Sequence, residues 1–211
     1  MNWNPTWICP ANDLGDPAAV FGTSFVFEKK ITHANLTITA MGVYEARLNG
    51  RRVGQFVMAP GWTSYHKRLQ YQKYNITDLL TNGKNEIEVT VGKGWYRSPL
   101  PGWLDCAYQD ELRSRPCGLA AQIALTFEDG SSKILSTDES WKVSDGPVRF
   151  SEIYDGEIYD ARFKETDWKW RKADVITPDI HPMIEARYGE PVTGHEIFAP
   201  ISCEEVYSGE K

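Results

Sequence analysis

The sequence predicts an all-β sandwich with little helix. Short runs of β-branched and aromatic residues recur along the chain, and Gly, Asn, Asp or Pro punctuates them at about ten-residue intervals. Apolar residues at helical spacing are scarce.

Residues 23–30 read as the first strand, and in 35–41 Leu36, Ile38 and Ala40 share one side. Residues 44–48 run into Asn49-Gly50, a hairpin dipeptide because both residues tolerate positive φ, and 52–57 return. Strands over 69–76 and 86–91 follow, with Asp78-Leu79-Leu80 between them as a single helical turn closed by Asn82-Gly83. In the second half, 119–127 and 132–136 flank Glu128-Asp129-Gly130-Ser131, another hairpin signal, and 141–143 and 148–153 complete the set.

The 211 residues are 41% hydrophobic and 25% charged, the composition of a chain that folds. A net charge of −6, without a basic run, argues against a nucleic-acid partner. No apolar stretch reaches membrane-spanning length, and Met1-Asn2-Trp3-Asn4-Pro5 lacks a signal-peptide layout, so the expectation is a cytoplasmic protein without a membrane partner. Cys9, Cys106, Cys117 and Cys203 form no CxxC or Cys/His cluster and read as reduced thiols, although a Cys106–Cys117 bridge is sterically feasible. Eight Trp and ten Tyr supply flat apolar platforms as well as core.

Two stretches break the regular spacing. Residues 92–116 form a Gly- and Pro-rich loop with Trp95, Tyr96, Trp103 and Tyr108; the tail from 167 carries Trp168, Trp170 and a mixed-charge run, and reads as leading into a further, missing domain.

The densest polar cluster is Tyr154-Asp155-Gly156-Glu157-Ile158-Tyr159-Asp160-Ala161-Arg162. In extended backbone Asp155, Glu157 and Tyr159 would share one face and Tyr154, Ile158 and Asp160 the other, unless Gly156 breaks the alternation. Such carboxylates could bind sugar hydroxyls, hold Ca²⁺ with backbone carbonyls, or act as a glycosidase acid and base. The plainer alternative pairs Arg162 with Asp160 or Glu157. A second constellation, Ala59-Pro60-Gly61-Trp62-Thr63-Ser64-Tyr65, makes a tight turn displaying Trp62 and Tyr65, or only a packed corner. Gly92-Lys93-Gly94-Trp95-Tyr96 lacks the rest of a phosphate loop, which leaves Trp95 and Tyr96 as an aromatic wall or core. No GxSxG elbow, HExxH helix or EF-hand loop is present, which excludes the usual nucleophilic and zinc chemistries.

Read in order, Gly42-Val43-Tyr44-Glu45-Ala46-Arg47-Leu48-Asn49-Gly50-Arg51-Arg52-Val53-Gly54, Ala59-Pro60-Gly61-Trp62-Thr63, Gln70-Tyr71-Gln72-Lys73-Tyr74, Gly94-Trp95-Tyr96, Thr137-Asp138-Glu139-Ser140-Trp141-Lys142 and the 153–162 cluster closely resemble the N-terminal domain of bacterial α-L-rhamnosidases. The resemblance spans roughly residues 21–168 and implies a jelly-roll, galactose-binding-like β-sandwich, preceding further β domains and an (α/α)₆ barrel that hydrolyses terminal α-L-rhamnosides by inversion. The expected division is a lead-in over 1–20, the sandwich over 21–170 and an extension over 171–211.

The resemblance implies a non-catalytic module, inactive alone, whose partners are a rhamnose-containing glycan or glycoside and the other domains of the parent enzyme. The candidate sugar contacts are Trp62, Trp95 and Tyr96 for stacking, with Asp155, Glu157, Tyr159, Asp160 and Arg162 for hydroxyls. Related modules bind rhamnose through Ca²⁺, and here Asp155, Glu157 and Asp160 offer suitable oxygens by their chemistry alone; no cofactor is otherwise required. The alternatives are a purely structural interdomain module and, least favoured, a small glycosidase using the clustered carboxylates.

Overall fold

A computed structural model describes residue 3 and residues 5–98, 115–178, 182–202 and 204. The expectations for Trp103, Tyr108, Cys106 with its bridge, and Cys203 lie outside the described residues.

The strands are β1 (Trp7–Pro10), β2 (Ala19–Phe27), β3 (Ile31–Met41), β4 (Val43–Leu48), β5 (Arg51–Arg52), β6 (Arg68–Asn75), β7 (Gly83–Gly92), β8 (Gly118–Phe127), β9 (Ser132–Ser136), β10 (Lys142–Asp145), β11 (Val148–Glu152), β12 (Gly156–Tyr159), β13 (Arg171–Ile176) and β14 (Met183–Ala186). A four-residue helix, α1 (Gly94–Arg97), and two single 3₁₀ turns are the helical elements among the described residues. The all-β expectation holds.

Twelve strands form one curled sheet in the order β14-β6-β3-β8-β1-β13-β10-β2-β7-β4-β5, with β9 on β8; β11 and β12 make a separate ribbon. Its two halves close on a shared core. Alternation selects that core: Leu36, Ile38 and Ala40 of β3 and Leu119, Ala121, Ile123 and Leu125 of β8 meet Phe21, Ile87, Val89, Val91, Ala46 and Leu48 from the opposite half. The seam is thin. β1 pairs with β13 over four residues and touches β8 only at Ile8↔Leu119, and Ile8 is fully buried.

Strand positions inferred from alternation coincide with β3, β4, β6, β7, β8 and β9 to within a few residues. The strand expected over 52–57 stops at Arg52, because Gly54 turns with φ +70° and lies so close to the Tyr74 ring that a Cβ there would sit 2.4 Å from Tyr74 Cε1. The short β1, β13 and β14 carry no alternating pattern and were not foreseen; Ala173 is the one deeply buried residue of β13. Residues 7–10 and 171–176, from the expected lead-in and extension, are therefore strands of the sheet itself.

Candidate functional site

Three glycines set the β3–β4 corner against the start of α1, beside an aromatic cleft. A Cβ on Gly42 would lie 2.3 Å from Gly92 O, one on Gly92 2.6 Å from Ser151 Oγ, and one on Gly94 2.6 Å from Val43 Cγ1. The β3–β4 corner and the start of α1 thus approach more closely than side chains permit. Close packing, not phosphate binding, explains the Gly92-Lys93-Gly94 run. Ion pairs from Lys93 to Asp16 (2.7 Å) and from Arg97 to Asp13 (3.4 Å) tie α1 to the loop before β2. Partial burial works against Asp13, but the Gly15 N–H and Arg97 hold its carboxyl below the usual range.

So anchored, α1 sends neighbouring residues in opposite directions. Tyr96 is buried edge-on against Tyr65, at 5.3 Å and 78°, and is core. Trp95 faces outward and lies nearly parallel to Trp62, with ring centroids 6.1 Å apart and planes 13° apart. Trp62 stands on the 59–63 turn, which is held by Tyr44 N–H to Ala59 O (2.7 Å) and Gly61 N–H to Met58 O (3.0 Å). Beneath it, the Tyr44 hydroxyl donates to Gln72 Oε1 (2.7 Å), and Gln72 Nε2 donates to Pro60 O (3.2 Å). Burial pushes the Tyr44 hydroxyl well above its ordinary range, which keeps that donor protonated.

The two stacked indoles line a cleft of about 190 Å³, walled also by Phe56, Gln70, Arg187 and Glu190. β14 delivers Arg187 by pairing parallel with β6; its N–H donates to Tyr71 O (3.1 Å) and its guanidinium lies 5.8 Å from the Phe56 ring centre. The aromatic pair was legible in the sequence, whereas Phe56 and Arg187 were not. Flat apolar rings beside a guanidinium, an amide and a carboxylate suit a small hydroxylated ligand.

The polar cluster over 154–162 occupies the β11–β12 ribbon. Glu152 Oε2 accepts the N–H groups of Tyr154 (2.6 Å) and Asp155 (2.7 Å), and Gly156 takes φ +90°. Burial raises the Glu152 carboxyl, but these donors outweigh it and the net shift is downward. The resulting turn removes Tyr154 and Asp155 from the strand, so the expected three-residue face of Asp155, Glu157 and Tyr159 does not form. Tyr154, Asp155, Glu157 and Tyr159 are exposed. Asp160 binds Arg162 twice, at 2.8 and 3.1 Å, and both groups keep their charge, with Asp160 lowered and Arg162 raised by this mutual hydrogen bond. Among the described residues no three His, Cys, Asp or Glu side chains gather as a metal set.

Residues 29–193 match the α-L-rhamnosidase N-terminal domain family. An α-L-rhamnosidase of Streptomyces avermitilis is 39% identical over 172 residues, which is 78% of this chain and 16% of that protein. The structure of an α-L-rhamnosidase from Dictyoglumus thermophilum superposes with a TM-score of 0.77 at 29% identity, covering 90% of this chain and 23% of its own. That of Streptomyces avermitilis α-L-rhamnosidase complexed with L-rhamnose gives 0.72 at 31%, covering 84% and 18%. The fold is therefore that of an N-terminal β domain of glycoside hydrolases. The chain belongs to the α-L-rhamnosidase N-terminal domain family, and it spans between about a sixth and a quarter of the length of these relatives.

Proposed function

We propose that this domain contributes to carbohydrate recognition for an α-L-rhamnosidase, beside an (α/α)₆ catalytic domain that hydrolyses terminal α-L-rhamnosides by inversion, and has no hydrolytic activity of its own. The observation that carries the reading is the near-parallel Trp62–Trp95 pair over a cleft with Arg187, Gln70 and Glu190 on its walls. A rhamnose ring has an apolar face for an indole and hydroxyls for the guanidinium and amide. The rhamnosidase relatives support the sugar class. Any Ca²⁺ dependence would draw on the exposed carboxylates of Asp155 and Glu157, which do not gather with a third ligand among the described residues, while Asp160 is held by Arg162.

Calorimetric titration of the 211-residue chain with L-rhamnose, with and without Ca²⁺, tests this. Saturable millimolar binding is expected, with Trp62→Ala or Trp95→Ala weakening it about tenfold. Silence in both conditions would remove the sugar reading. Heat that vanishes with chelator would assign the ion.

Exposed apolar side chains favour a second reading, a bracing module without sugar affinity. Ile197, Phe198 and Ile201 lie almost wholly in solvent, and Ile158 and Tyr159 stand out from the β11–β12 ribbon. Self-association without any response to sugar is its signature.

A further inference from the structure

The outer face of β2, β7 and β10 holds a larger cleft, of about 460 Å³, that shares no residue with the Trp62–Trp95 site. Lys142, Gly22 and Glu88 stand side by side across the three strands. Gly22 leaves a trough into which Trp170 settles; a Cβ there would lie 2.9 Å from Trp170 Cη2. Trp168 stacks on Trp170, with centroids 5.1 Å apart and planes 8° apart, and its own ring approaches Gly146. The Lys169 N–H donates to Ser144 Oγ (2.9 Å), which pins the segment between the two indoles to β10. The pair is a fixed aromatic wall, packed on glycines and still partly open to solvent.

Glu88 and Lys142 flank Gly22 on either side of the Trp170 ring, both exposed and neither of them hydrogen-bonded or ion-paired through its side chain to a described residue, with Ser24 and Ser140 also in the lining. Glu88 stands exposed at the surface; partial burial, and then the neighbouring Glu86, raise its carboxyl, while Arg47, its cross-strand partner on β4, pulls the other way. Glu86 is already engaged by Lys84, so the cleft proper offers one charged acceptor, the Glu88 carboxylate, and one charged donor, the Lys142 ammonium, and favours a neutral ligand. That ligand needs one apolar face for the indoles, hydroxyls that donate to Glu88, and oxygens that accept from Lys142.

We propose that this cleft is a second carbohydrate site, which takes a neutral pyranose ring of a glycan against Trp168 and Trp170 with its hydroxyls on Glu88 and Lys142. It stands independently of the Trp62–Trp95 site. The test is a titration of the ¹⁵N-labelled 211-residue chain with methyl α-L-rhamnoside, D-galactose and D-glucose, following the indole N–H signals assigned by Trp→Phe substitution. Saturable shifts of the Trp168 and Trp170 signals are expected with at least one sugar. Glu88→Gln, a surface change, weakens that response about tenfold, and Trp62→Ala leaves it unchanged. Three results overturn the proposal: no shift at these two signals at tens of millimolar sugar, shifts untouched by both Glu88→Gln and Lys142→Gln, or a response confined to Trp62 and Trp95, which would support only the other site. Broadening of the Trp168 and Trp170 signals with protein concentration alone, indifferent to sugar, would also overturn it and assign the face to protein contact.

Discussion

Cys9 and Cys117 carry their thiols in the interior. Burial, with Asp174 adding to it, pushes the Cys9 thiol up to about 11, and burial likewise raises Cys117 against the pull of Arg97. A raised thiol is a protonated and slow nucleophile, so both should resist iodoacetamide at pH 8 in the native chain and react once urea unfolds it, as mass spectrometry of the labelled chain can read. The sign for stability follows: the native state prefers the neutral thiol, so its contribution is intact below the unfolded thiol range and is lost as pH rises toward about 11. At this scale the sequence was partly legible. Trp62 and Trp95 stood out and do meet, while Tyr96, one residue on, points into the core. A four-residue helix gives no periodicity from which its buried side could be read. Arg187 reaches the cleft only through a parallel pairing with a strand more than a hundred residues earlier, which no local pattern encodes.

The β4–β5 hairpin shows how a turn dipeptide can do more than turn. Asn49 and Gly50 have φ of 51° and 75°, both positive as a type I′ turn requires. The Asn49 side chain also donates to Leu79 O and Asn85 Oδ1 and accepts the Glu86 N–H, which locks the hairpin to β7 and to the 3₁₀ turn at Thr77–Leu79. Asn49→Ala removes these bonds beside the buried Asn85 and replaces a residue that tolerates the left-handed region with one that does not. We expect a loss of about 2–3 kcal/mol, seen as a lower urea midpoint, whereas Asn49→Gly keeps the φ and loses less. The hairpin and the long strands were legible because their cues lie within a few residues. In the β11–β12 ribbon the sequence left open whether Gly156 breaks the alternation; it does, with φ +90°, and the Glu152 carboxylate capping the same turn carried no signal that could be read beforehand.

The curled sheet depends on a closure that local sequence hardly announces. β13 joins β1 to β10, so among the described residues the two halves are continuous only through residues 171–176. A chain ended at residue 170 leaves β1 and β10 without their partner and should lose more than about 3 kcal/mol, or fail to unfold cooperatively in calorimetry. A chain ended at residue 178 keeps β13 and should retain a single transition, while lacking Arg187 at the Trp62–Trp95 cleft. The alternation in β3 and β8 foretold the core but not this seam, because β1 is four residues long and β13 buries little. The seam also has a direction. Trp7 lies opposite Ile176 and Pro10 opposite Ala173, so the start of β1 and the end of β13 lie at the same end of an antiparallel ribbon. A force that separated Trp7 from Ile176 would peel the four pairs apart one after another like a zipper instead of shearing them together, and would open the sheet where its two halves join.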